Sequence, residues 1–141
     1  MISRPRWKGG DGPGEAMLAS CLREHLMGLP RLSRLRRGYD GRADILDRRR
    51  EPGLPNNRLA HGYPRYITAM ATGYLLGGPV EYLAEEQDAG GTQALKAAYR
   101  KCDIDSVDAE LARNASIYGR AVELVYADEE ARARSVSLDP A

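Results

Sequence analysis

Phenylalanine is missing from this sequence, and tryptophan occurs once, as Trp7. Large apolar area therefore has to come from Leu, Ile, Val, Met and the eight tyrosines, whose hydroxyls need a partner or water when buried. An aliphatic core with tyrosine edges is expected. The two cysteines, Cys21 and Cys102, lie far apart and form no CxxC pair. That excludes a disulfide framework and a thiolate metal site, and fits ordinary thiols in a reducing compartment. No run approaches the roughly 18 apolar residues that span a bilayer, and residues 1–30 lack the apolar centre of an export signal. No membrane partner is expected, and the protein is expected to be made and kept inside the cell.

At 141 residues, 43% hydrophobic and 29% charged, the chain has ordinary soluble usage and fits one domain with a modest core. The formal charge of +1 conceals an asymmetry. Residues 1–70 hold 14 Lys/Arg against 7 Asp/Glu, and residues 71–141 hold 7 against 13, a balance of +7 and −6. Such a split suits a nucleic-acid face, packing of basic on acidic surfaces between neighbouring subunits, or solvated charge with no partner.

Residues 1–14 are dense in Gly, Pro and charge, with too little apolar surface to offset ordering, which predicts a flexible amino-terminal arm. From Glu15, helical spacing puts Leu18, Cys21, Leu22, His25 and Leu26 on one face, with Gly28 and Pro30 marking its end. A second short helix is expected to turn Leu32, Leu35 and Tyr39 inward and Arg31, Arg34, Arg36 and Arg37 outward. Turn residues crowd 40–63 around Arg48-Arg49-Arg50 and predict a long loop. A helix over Pro64–Leu76 follows, its buried face drawn by Ile67, Met70, Ala71, Tyr74 and Leu75, with Gly77-Gly78-Pro79 as a positive-φ stop. Val80–Leu83 reads as a short strand, Glu85–Gly91 as an acidic loop, and Thr92–Lys101 as a helix with Leu95, Ala98 and Tyr99 inward. Asp105 is expected to cap a helix that turns Val107, Leu111, Ala115 and Tyr118 inward and ends at Gly119 with positive φ. Alternation over Val122, Leu124 and Tyr126, resumed over Ala133–Leu138, predicts a β-hairpin. The fold class is α+β, mostly helical with a small antiparallel sheet.

Catalysis needs convergent groups, and few candidates offer themselves. His25 falls on an apolar helix face and His61 in an Asn-rich loop, neither beside a nucleophile motif, so both read as structural histidines. Asp103, Asp105, Asp108 and Glu110 resemble a calcium loop only in part, because Val107 stands where an oxygen ligand belongs and Asp108 where the sharp-turn glycine belongs. Helix capping accounts for them better. Asn114-Ala115-Ser116 matches a glycosylation sequon but lies inside a helix, and the glycines of 73–78 lack a phosphate-cradling pattern. The arginine run at 48–50 reads as solvated charge, with phosphate contact as the alternative. No catalytic, cofactor-binding or metal-ligating residue is expected, and no cofactor.

Several segments, taken in order, resemble the portal protein family of tailed bacteriophages with long non-contractile tails. Tyr39-Asp40-Gly41 with Ile45-Leu46 is similar to that family's early tyrosine-glycine turn. Pro55-Asn56-Asn57-Arg58-Leu59, leading into Tyr63-Pro64-Arg65-Tyr66-Ile67, resembles its Asn-rich approach to a helix. Thr72-Gly73-Tyr74-Leu75-Leu76-Gly77-Gly78-Pro79-Val80 is similar to its Gly-Tyr-x-x-Gly-x-Pro stretch. Ala115 to Ala121, with Glu123-Leu124 and the closing Leu138-Asp139-Pro140, looks like its later helix-to-strand passage. Gly78 departs from the polar residue usual there, and the turn at Asp128–Ala131 lacks the customary glycine.

The resemblance implies a structural ring subunit and no enzyme. Residues 15–141 would be the amino-terminal part of the portal wing domain, an incomplete one, since family members are several times longer and build stem, clip and DNA tunnel from later segments. It implies a homo-oligomeric ring at a capsid vertex of a phage or prophage, a head-tail connector through which DNA is packaged and ejected. Its implied partners are the terminase large subunit, capsid and scaffold proteins and head-tail adaptor proteins. Double-stranded DNA would pass through the ring with weak or no direct binding by these residues, and the implied location is the virion, with the host cytoplasm during assembly. The alternative from another class is a small intracellular nucleic-acid-binding module that uses the basic amino-terminal half.

Overall fold

The structure, a computed structural model, describes residues 14–83 and 89–141. The expected arm, Gly14 apart, and residues 84–88, which take in 85–88 of the expected acidic loop, lie outside the described residues. The described elements are helix α1 (Glu15–Tyr39), a single turn of 3-10 helix (Asp44–Asp47), α2 (Tyr63–Leu76), α3 (Ala89–Cys102), α4 (Ile104–Tyr118) and the strands β1 (Val122–Ala127) and β2 (Ala133–Leu138). The architecture is α+β and mostly helical, with one two-stranded antiparallel sheet, as expected.

The two short helices expected on either side of Pro30 are one helix of 25 residues. Proline has no N–H to offer the carbonyl of Leu26, and its ring crowds that carbonyl, a local cost of about 3 kcal/mol. The helix continues because Leu32, beyond the proline, is buried against Ile117 and Tyr118, with Leu29, Leu35 and Tyr39 packed around them. Burying several large side chains at about 1.5 to 3 kcal/mol each offsets the missing bond. The core is thus where α1 crosses the carboxyl end of α4, and Tyr118, 1% exposed, sits at its centre rather than its edge.

Helix α2 has the expected bounds within a residue but turns a different face inward. Thr68 is buried, and Thr72 and Leu76 at i+4 and i+8 are half-buried. Ile67 is 61% exposed and Tyr74 96%, and Met70, Ala71 and Leu75 are exposed as well. Small threonines allow α2 and α4 to approach closely, since interhelical distance follows the size of the contacting side chains. The approach is sealed by Ser116 donating to Thr68 Oγ1 at 3.2 Å. Gly77 ends α2 at φ −70°, so the expected positive-φ stop is not used. Its glycine has a steric reason instead: a Cβ there would run into the carbonyl oxygen of Gly73.

Val80–Leu83 forms no strand, because no ladder partner runs beside it among the described residues. Tyr82 instead rests on Tyr99 of α3, ring centroids 4.8 Å apart. Helix α3 begins at Ala89 and takes in Gly90 and Gly91, which were expected in the loop. Ala98 and Tyr99 are half-buried, whereas Leu95 is exposed. Asp105 is not the cap of α4. Asp103 holds that place, in left-handed conformation at φ 51°, and its side chain makes no capping bond. A single left-handed residue reverses the chain between α3 and α4, a conformation Asp adopts more readily than most residues. Val107 and Leu111 are half-buried as expected, Ala115 is exposed, and Ile117 joins Tyr118 in the core. Gly119 has the expected positive φ, 74°. The hairpin pairs Val122 with Leu138, Leu124 with Val136 and Tyr126 with Arg134.

Candidate functional site

The last two turns of α1 carry Arg34, Arg36 and Arg37, and the carboxyl end of a helix suits positive charge. Arg36 is the centre of a junction that joins three parts of the chain. Its Nε donates to Asp40 Oδ2 at 3.1 Å, and its Nη1 donates to Asp139 Oδ2 at 3.1 Å and to the Tyr118 hydroxyl at 3.4 Å. Asp139 follows β2 directly, and Pro140 beside it is buried. The closing residues are thereby fastened to the start of the fold. The Arg36 guanidinium is held still more firmly protonated by the Tyr118 and Asp40 hydrogen bonds. Burial pushes the Tyr118 hydroxyl up, with the Arg36 bond opposing it, so the phenol stays neutral at physiological pH. Such a permanently charged, hydrogen-bonded junction positions elements and offers no proton to exchange.

Beside it, Arg34 and Arg37 reach forward to the 3-10 turn, Arg34 to Asp44 at 2.9 Å and Arg37 to Asp47 at 2.9 Å. Arg65 of α2 lies over the Tyr39 ring, 5.2 Å from its centroid. The arginines expected to face outward are therefore mostly engaged within the chain. In the long loop, Arg50 donates to the Pro55 carbonyl, Asn56 to that of Arg48, and Arg58 to that of Leu46. These bonds fold the loop upon itself.

The turn between β1 and β2 is organised by Asp128. Its Oδ1 accepts from the backbone N–H of Arg132 at 2.9 Å and of Glu130 at 3.1 Å, and its Oδ2 accepts from Arg134 Nε at 2.9 Å. The Arg132 N–H first, then the Arg134 guanidinium, hold this carboxyl below its ordinary range. At the acidic start of α4, desolvation and the neighbouring Glu123 and Asp105 push the Asp108 carboxyl up.

Between α1 and α2 a groove of about 750 Å³ opens to solvent. Leu35, Tyr39, Tyr63 and Ile67 wall it, and Ile117 lies at its base. Its lining is largely apolar, and it holds no convergent set of titratable groups.

The residues weighed from sequence for chemistry do not come together. His25 is exposed on α1, and His61 is exposed beside Tyr63. Asn114 of the sequon donates to Ser137 Oγ at 3.2 Å, which ties α4 to β2. Cys21 is an exposed free thiol, and Cys102 donates to the Ala133 carbonyl. Among the described residues no group of His, Cys, Asp and Glu could hold a metal ion, and no helix is long and apolar enough to cross a membrane. Sequence reasoning missed the Arg36 junction, whose members are 82 and 103 positions apart in the chain. The only signal for it was that a buried tyrosine hydroxyl needs a partner.

Set against known families, residues 18–141 match the family described as phage portal protein, SPP1 Gp6-like. The chain belongs to this portal family. No curated protein matches it. The matched span runs from the first turns of α1 through the hairpin to the last residue, so every tertiary contact described above lies within the portal region. In the hairpin turn, Ala131 stands in the left-handed region at φ 56°. The portal family is structural, and membership sets the chain among the virion and capsid proteins of phage genome packaging.

Proposed function

We propose that the chain works as a structural subunit of a portal ring at one capsid vertex, with residues 15–141 forming part of the outer wing. The observation that carries this is the family match over residues 18–141. The Arg36 junction supports it, since a wing has to hold its shape while DNA passes and its motor pulls. On this reading ATP hydrolysis belongs to the terminase, and capsid, scaffold and adaptor proteins meet the ring from outside. The product resides in the virion after assembly in the host cytoplasm.

The nucleic-acid module is the weaker reading, because Arg34, Arg36 and Arg37 are spent on Asp44, Asp40, Asp139 and Asp47 rather than held ready for phosphates. Interrupting the reading frame within α1 is the test of the portal reading. Capsids that assemble but stay empty of DNA are the expected result, and DNA-filled particles would overturn it. A DNA titration of the purified chain at two salt concentrations separates the module: weak binding erased by salt fits a portal, and tight binding at physiological salt fits the module.

A further inference from the structure

Two features of the surface fit one another. The first is the groove between α1 and α2, apolar along its walls, with Arg31 and Arg34 on its rim. Arg34 is paired with Asp44, but Arg31 has no ion pair among the described residues, and α2 contains no acidic residue to balance it. The second is the amino-terminal half of α1. From Glu15 to Met27 every residue except Met17 is exposed. Leu18, Leu22 and Leu26 recur at i, i+4 and i+8 as one stripe, and Glu15 falls on the same face. A leucine stripe of this length left in water marks a surface made to meet another.

The helix cannot satisfy its own groove. The α1 wall of the groove, Arg31 to Tyr39, is the continuation of the same helix, and a proline such as Pro30 bends a helix without reversing it. Among the described residues, the exposed apolar stripe able to reach in is that of another copy's helix. Its apolar stripe matches the walls, and its Glu15 matches Arg31, the rim arginine that has no ion pair among the described residues. We propose that the groove receives the Glu15–Met27 segment of α1 from a second copy of the chain. Each copy then gives one helix and accepts another, a heterologous contact that closes into a ring when the rotation between copies permits. The closure rests on the ring reading above, but the contact itself does not.

The test uses two variants at exposed positions, Leu22→Glu on the donated helix and Ile67→Glu in the groove, with circular dichroism to show that both keep the wild-type helical content. Sedimentation velocity from micromolar to several hundred micromolar should show concentration-dependent association of the wild-type chain, weakened roughly tenfold or more in each variant alone. Mixing them is decisive. The Ile67→Glu copy still has a sound helix and the Leu22→Glu copy a sound groove, so the mixture should form a one-to-one pair and stop there. Variants that associate like wild type, a mixture that forms no pair, or a wild-type chain that stays monomeric would each overturn the contact. Empty capsids in the frame-interruption experiment would leave the ring reading standing in that case, whereas DNA-filled particles would remove it independently.

Discussion

Replacing Leu32 and Ile67 by alanine, one at a time, measures which residues carry the fold. Leu32 is 1% exposed and packs with Ile117 and Tyr118. Truncation removes three carbon atoms at about 0.8 kcal/mol each and leaves a cavity that the rigid crossing of α1 and α4 cannot fully close, a total of about 2 to 5 kcal/mol. The helical spacing of α2 makes Ile67 look equally central, but at 61% exposure it shields less than half of its side chain. Ile67→Ala therefore costs about 1 kcal/mol or less, with no cavity term. Urea unfolding followed by circular dichroism, at a dilution where the chain is monomeric, gives both values. Equal losses for the two variants, or a Leu32→Ala loss below about 1 kcal/mol, would refute the packing described here. Against the roughly 5 to 15 kcal/mol of a whole domain, the Leu32 loss alone should produce a clear fall in midpoint.

Gly119 sits at φ 74°, so Gly119→Val should lose more than about 1 kcal/mol in the same assay, while Gly119→Asn, which tolerates that region, should lose distinctly less. Ala131 is in the left-handed region at φ 56°, so Ala131→Gly should raise stability by up to about 1 kcal/mol; an unchanged or lower midpoint would contradict the strain assigned to that turn. Asp128 has a folded-state pKa depressed below its ordinary 3.8, so its contribution is present above that value and is lost as pH falls through the lower folded one. Asp128→Asn should accordingly melt below wild type at neutral pH, with the gap closing on acidification below pH 4; a gap independent of pH would show that the carboxylate charge is not what holds the turn.

Most elements were legible in the sequence, because local rules govern them. Alternation fixed the hairpin, and the glycine after Tyr118 marked both the end of α4 and its positive φ. Pro30 misleads because its local cost marks a helix boundary, while burial of Leu32 on Tyr118 lies in tertiary packing that sequence does not display. The α2 helix misled for a related reason. Its bulky stripe, Ile67, Met70 and Tyr74, obeys the helical period perfectly well, yet periodicity says only that a face is apolar and not what covers it. The inward face was carried by Thr68 and Thr72, which no hydrophobic pattern singles out. The Arg36 junction was illegible because residues so far apart in the chain meet only once α1, α4 and the end of β2 are in place.

The central claim, that this is a portal subunit, is tested most directly by locating the gene product in assembled particles. With an epitope tag before Glu15 and gold labelling under the electron microscope, the account predicts label at a single vertex of each capsid, where the tail joins. Label spread over all vertices, or particles that carry none of the product, would contradict it.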